Sequence, residues 1–132
     1  TCVKCAIECP AGEIEDPLTH HCYLRVPGAS TDWNAAQSAC AASGAYLAVI
    51  NSPVENALLQ ASLPGPMWMG ASRLNTFASF KWLNTDPLCY ANWDGGEPSG
   101  ELNRNCALIQ ANGIWSNDDC KQKKGYLCER DN

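Results

Sequence analysis

Basic residues are scarce in this chain of 132 residues. Nine Lys and Arg stand against fourteen Asp and Glu, for a net charge of −5. A chain of that balance, with no basic patch, is a poor match for a polyanion, which sets nucleic acid aside as a partner. The one cationic cluster, Lys121, Lys123 and Lys124, reads as a solvated face. Long apolar runs are missing too: none approaches the ~20 residues of a membrane span. The Asn-x-Ser/Thr sequon is absent, since Asn51-Ser52-Pro53 and Asn75-Thr76-Phe77 both fail it, so N-glycosylation is not expected. There is no internal repeat or low-complexity tract, which argues against a solenoid or a disordered tail. The two histidines, His20 and His21, are far in sequence from any candidate nucleophile, which argues against nucleophilic catalysis.

Cysteine, by contrast, is abundant. Nine cysteines in so short a chain point to an oxidising compartment and hence to secretion, with Thr1 reading as a mature N-terminus left by removal of a leader. Nine is odd, so at least one cannot pair within the chain. The length suits one domain with its own core. Residues 1–8 read as a cysteine-rich arm and 9–132 as the folded domain. Cys2-x-x-Cys5, with Cys9, His20 and His21 nearby in sequence, admits a zinc reading. An arm or interchain disulfide is preferred in a secreted disulfide protein.

The pattern of the remaining residues predicts short elements. His21 to Val26 alternates like a strand, and Pro27-Gly28 is expected to break it. Ser30-Thr31-Asp32 offers caps for a helix over 31–43, with Trp33, Ala36 and Cys40 at helical spacing and Gly44 as its stop. Tyr46 to Ile50 reads as a buried strand. A second helix opens at Ser52-Pro53-Val54-Glu55, a cap, a first-turn proline and a capping box, and ends near Ala61. Further strands are expected at 67–71, 80–83, 106–110, 113–115 and 125–129. Between Asn84 and Asn105 turn formers dominate, and so long an irregular segment is usually functional. The sum is an α+β domain.

Several blocks, in order, resemble the C-type lectin-like family: Trp33 with Ala36 and Cys40, Leu47-Ala48-Val49-Ile50 followed by Ser52 and Glu55, Trp68-Met69-Gly70, Asn92-Trp93, Gly96-Glu97-Pro98, then Cys106, Trp115, Cys120 and Cys128. The likeness spans residues 9 to 129. It implies two helices with short antiparallel sheets and a long binding loop. It also implies three disulfides, Cys9–Cys22, Cys40–Cys128 and Cys106–Cys120, and a cis Glu97-Pro98 bond. The unassigned Cys2, Cys5 and Cys89 imply a disulfide-linked dimer, through Cys5 or Cys2 as first choice and Cys89 as second.

In that family a calcium held by the loop and by the segment after the Trp holds the sugar, and such an ion needs about six to eight oxygens. Here the implied ligand set is incomplete. Glu97 fits, and Ser99 brings a hydroxyl where the family has an amide. Arg104 stands near the position of a second Glu, for which Glu101 compensates only if the loop is shorter. Ser116 and Asn117 stand where the family has Asn and Asp, and using Asn117-Asp118 as ligands instead requires a bulge. One carboxylate beside a cation binds calcium weakly. The resemblance thus implies a secreted lectin for terminal monosaccharides, with a site of Glu97, Ser99, Glu101, Arg104, Asn117 and Asp118. Calcium is then weak or dispensable there. N-acetylhexosamines fit a calcium-free site best, since they offer an amide and a methyl group. Trp93 and Trp115 read as core; Tyr90 reads either as core or as a stacking face for a pyranose. The alternative is a calcium-free module that binds protein or another surface. Glu97 and Asp118 can be drawn as a glycosidase pair, but the loop lacks the apolar surroundings that raise one pKa, so no enzyme is expected. A structural calcium is implied at Glu55 and Glu129, with a carbonyl near Val49 or Asn51. The competing reading makes Glu55 part of the capping box and leaves Glu129 solvated.

Overall fold

The computed structural model describes residues 9–61, 63–73, 79–100 and 103–131. Asp32 turns the chain from strand to helix. It leaves the extended run of β2 (Cys22–Thr31), which pairs with β1 (Ile14–Glu15), and its side chain accepts from Ala35 N at 2.8 Å to open α1 (Trp33–Ala42). Trp33, Ala36 and Cys40 form the buried stripe of that helix. Gly44 ends it in the left-handed region, φ +78°, which a glycine enters without steric cost. Pro27-Gly28 does not end β2 as expected. Gly28 also takes a positive φ, +73°, and the pairing of β2 with β8 (Lys124–Arg130) shifts register between Val26 and Thr31 and then resumes.

Only Tyr46–Leu47 of the expected strand 46–50 joins the sheet, as β3. Ala48 N still reaches Leu127 O, but Val49 N turns to the carboxylate of Glu129, 2.9 Å away, and the ladder stops there. Ser52 Oγ then accepts from Glu55 N at 3.1 Å and Pro53 takes the first position of α2 (Pro53–Gln60).

β4 (Met67–Ser72) lies at the centre, flanked by β5 (Lys81–Trp82), β6 (Cys106–Ile109) and β8, with β7 (Trp115–Asp118) beyond β6. Among the described residues the strands form one sheet, ordered β1-β2-β8-β4-β6-β7, with β3 on β8 and β5 on β4. The sheet is mixed rather than wholly antiparallel as expected, because β4 runs parallel to β8. A strand buried on both faces is apolar without alternation, as Met67-Trp68-Met69-Gly70-Ala71 is. Its odd positions enter one core cluster with Leu59 and Trp115; Trp68 enters another with Trp33, Leu47 and Cys128.

The implied disulfides Cys9–Cys22, Cys40–Cys128 and Cys106–Cys120 are all present. The second ties α1 to β8 across 88 residues and the third ties β6 to the turn after β7. Among the described residues no helix is long and apolar enough to cross a membrane.

Candidate functional site

Backbone bonds lash the long loop to the start of β7. Trp115 N donates to Asn92 O at 2.8 Å and Asp94 N to Trp115 O at 2.9 Å. Gly113 O accepts from both Asn92 Nδ2 and Asn56 Nδ2, and Asn56 Oδ1 accepts from the indole N–H of Trp115 at 2.7 Å. Trp115 is fully buried, with Trp82, Tyr90 and Trp93 set nearly edge-on to it at centroid distances of 5.8, 5.6 and 5.8 Å. Trp93 and Trp115 are therefore core. Tyr90 leans on the same indole, and burial raises its phenol pKa.

The register of β6 with β7 runs without a shift from Ile109↔Trp115 to Cys106↔Asp118, so there is no bulge to slide Asn117-Asp118. Strand alternation buries Trp115 and Asn117 and leaves Ser116 and Asp118 half-buried. Asn117, 2 % exposed, clips the loop. Its Oδ1 accepts from Ser99 N at 2.7 Å, and its Nδ2 donates to Ser99 O at 3.0 Å and to Arg104 O at 2.7 Å. Ser99 N also donates to Glu97 Oε1 at 3.0 Å. The Glu97-Pro98 bond is cis, as the resemblance implied.

An open cavity of about 600 Å³ faces this clip. Glu97, Arg104, Asn117 and Asp118 line it, together with Asp94, Gln110, Asn112, Ser116 and Lys124 and the apolar Pro66 and Leu108. Asp118 pairs with Lys124 at 2.9 Å. Partial burial works against its ionisation, but Lys124 and the N–H of Asp119 outweigh that, and its pKa falls below the usual carboxylate value. Gln110 Nε2 donates to Ser116 Oγ at 3.2 Å across the hairpin. The structure thus gathers four of the six expected residues on one cavity and puts Ser99 behind it, within the clip. Glu101 lies outside the described residues.

Sequence reading missed Gln110, Lys124 and Arg73. The alternation of β6 and β7 carried a signal for the first, since Gln110 and Ser116 fall on one face of a hairpin. Arg73, 8 % exposed at the end of β4, sits at the root of the loop. Its Nη2 donates to Ser99 O at 2.7 Å and to Arg104 O at 3.1 Å, and its Nε to Asn105 Oδ1 at 3.0 Å. The guanidinium lies over Phe80, 5.0 Å from the ring centre.

Glu55 and Glu129 lie elsewhere, at the start of α2 and on β8. Both are buried, and each of their carboxylate oxygens has a polar partner. Glu55 accepts from the Tyr23 hydroxyl at 2.8 Å and from Asn51 N at 2.7 Å; it reaches Asn51 rather than closing a box on Ser52. Glu129 accepts from Val49 N and meets His21 Nδ1 at 2.7 Å, so it is not solvated. Val49 and Asn51 turn N–H groups, not carbonyls, toward these carboxylates. His21 Nε2 lies 3.4 Å from Asp131 Oδ1. Partial burial pulls the His21 pKa down, but the bond to Glu129 and the charges of Glu129, Asp131 and Glu55 prevail and raise it above 6.5. Burial likewise holds Glu129 above the usual carboxylate value, despite its bonds to His21 and Val49. Cys89 is exposed and unpaired among the described residues, whereas Cys2 and Cys5 lie outside them.

Residues 29–130 match the family described as Lectin C-type domain. Lectin BRA-3 of Megabalanus rosa is 31 % identical over 130 residues, covering 92 % of this chain and 78 % of that protein. C-type mannose receptor 2 of Homo sapiens is 30 % identical over 121 residues; the match covers 88 % of this chain but spans only 8 % of the receptor's length. Among solved structures, the cow C-type carbohydrate-recognition domain of CD23, crystallised with a GlcNAc2Man3 oligosaccharide, superposes with a TM-score of 0.86. It is 30 % identical, with 97 % of this chain and 98 % of that one covered. With its fold, its three bridges and its cavity beside the long loop, this chain belongs to the C-type lectin domain family.

Proposed function

We propose that this protein is a secreted, non-catalytic lectin. It takes a terminal monosaccharide in the cavity beside the long loop, without needing calcium there. The observation that carries this reading is the convergence of Glu97, Arg104 and Asp118 on one open cavity of about 600 Å³, with apolar Leu108 and Pro66 in the same wall and Asn117 holding the loop behind them. A few convergent polar groups around an apolar contact suit a sugar ring. Direct hydrogen bonds then replace the reading of vicinal hydroxyls by an ion, and N-acetylhexosamines, with an amide and a methyl group, fit such a site. The kinship with sugar-binding relatives supports the same view. Ser99 contributes through its backbone, and Glu101 belongs to the same loop.

The test is a glycan array run with and without a chelator, on the wild type and on Glu97→Ala. Wild-type binding should survive the chelator and the variant should lose it. Unchanged binding of Glu97→Ala would sink the site assignment. A second reading, a calcium-free module for protein or another surface, is favoured by one observation: Asn117 and Ser99 are spent on holding the loop. An array on which the wild type binds no glycan would select it. At Glu55 and Glu129 the donors already in place argue for a proton-bearing network in place of a structural calcium. A chelator that leaves thermal stability unchanged agrees; a fall in stability would restore the ion.

A further inference from the structure

We propose that Arg73 is the resident cation of the long loop, and that its guanidinium does the organising work which would otherwise call for a bound metal ion. The proposal rests on the reading of the neighbouring cavity as the ligand site, and it assigns that site its means of metal-independent order.

Among the described residues, three loop acceptors converge on this one buried group. Ser99 O and Arg104 O accept from Nη2 at 2.7 and 3.1 Å, and Asn105 Oδ1 accepts from Nε at 3.0 Å. The backbone joins in, since Arg73 N donates to Asn105 O at 2.9 Å. The same two carbonyls also accept from Asn117 Nδ2, so each is drawn by a cation and by an amide. Carbonyl oxygens gathered inward leave partial negative charge concentrated at one point. Here the guanidinium of Arg73, 8 % exposed, meets that charge, with the Phe80 ring 5.0 Å away on its other side. A planar, permanently charged fork suits several fixed acceptors, and a lysine ammonium does not reproduce it. Ser99 stands just behind the cavity, beside the lining Glu97 that its N–H donates to, and Arg104 itself lines the cavity. Fixing their carbonyls therefore fixes the wall that a ligand meets. Arg73 touches no ligand in this account; it is a positioning residue.

The experiment is amide hydrogen exchange of residues 97, 99–100 and 103–105, with β8 as internal control, on the full chain. In the wild type, calcium and chelator should leave the exchange of this segment unchanged. Arg73→Ala should speed it by about ten- to a hundredfold while β8 keeps its protection. Free guanidinium ion at sub-denaturing concentration should then restore protection in Arg73→Ala, and urea, of similar shape but neutral, should not. That contrast isolates charge from packing. If Arg73→Ala does not fold, Arg73→Lys is read in the same assay and should show intermediate protection. Three results overturn the proposal: a variant loop as protected as the wild type, urea restoring it as well as guanidinium does, or calcium strengthening protection of the wild-type loop. A glycan column run in parallel separates the two readings: failure of the wild type to bind sugar defeats the lectin assignment, while the exchange data still decide on Arg73.

Discussion

Asn117 shows how one side chain is diverted from ligand to scaffold. A buried amide must find partners for a carbonyl and two N–H bonds, and here all the acceptor and donor capacity seen is met by Ser99 and Arg104 of the facing loop. Asn117→Ala leaves a half-buried backbone N–H and two carbonyls with fewer partners. It should cost about 1–3 kcal/mol in urea unfolding and weaken any ligand bound at the loop. His21 gives a second residue-scale expectation. Its raised pKa and that of Glu129 both mean that the folded chain holds protons more tightly than the unfolded one. Stability must then fall as pH rises. The Glu129 share begins to go above 4.5; the His21 share is fully present below 6.5 and is lost as pH climbs through its higher folded value. Urea midpoints measured across this range should decline in the wild type and flatten in His21→Gln. A midpoint that rises with pH in the wild type would contradict the assigned contacts.

At the scale of elements, β4 is the central strand, paired with β5, β6 and β8. Gly70 is required there because β3 and the segment after it press on its backbone: a Cβ would stand 2.5 Å from Leu47 O and 3.1 Å from Ala48 O. The neighbouring Met69 carbonyl accepts the indole N–H of Trp33, so a displaced β4 also disturbs α1. Gly70→Ala should therefore lower stability by about 1–3 kcal/mol, read as a fall in denaturant midpoint with the slope kept. Much of this scale was legible in the sequence. The caps at Asp32 and Ser52, the stop at Gly44 and the buried stripe of α1 follow from local chemistry that neighbours do not override. The strand 46–50 was overestimated because Val49 N finds a side-chain carboxylate 80 residues away instead of a ladder partner. The break at Pro27-Gly28 was overestimated for a related reason. A register shift absorbs it, and the long partner β8 re-forms the pairing beyond it at Thr31↔Lys124.

For the whole molecule the cysteines set the frame. Cys40–Cys128 closes a span of 88 residues between α1 and β8, and the two other bridges pin the β1–β2 end and the site hairpin. Six of nine cysteines are thereby consumed, and the exposed Cys89 remains, with Cys2 and Cys5 outside the described residues. An exposed thiol does not persist in an oxidising setting, so the chain is proposed to form a disulfide-linked dimer through Cys5 or Cys2, with Cys89 as the second choice. Two sites on one particle then raise avidity for multivalent glycans. Non-reducing electrophoresis should show twice the chain mass, collapsing with reductant; a monomer band without reductant refutes it. By itself the sequence determined the two helices with their caps, most of the strands and the location of the loop, because these depend on spacing and on residues near in the chain; the three bridges, one of them across 88 residues, were implied only by the resemblance to the family. Only the tertiary structure decided the chemistry of the site. It turned Asn117 inward, paired Asp118 with Lys124, gave buried Glu55 and Glu129 partners of their own, and brought Arg73 under carbonyls 26 and 31 residues away. The physical reason is that a side chain's partners, and hence whether it is free to meet a ligand, are set by strand register and by which distant backbone groups need satisfying. Local pattern carries neither.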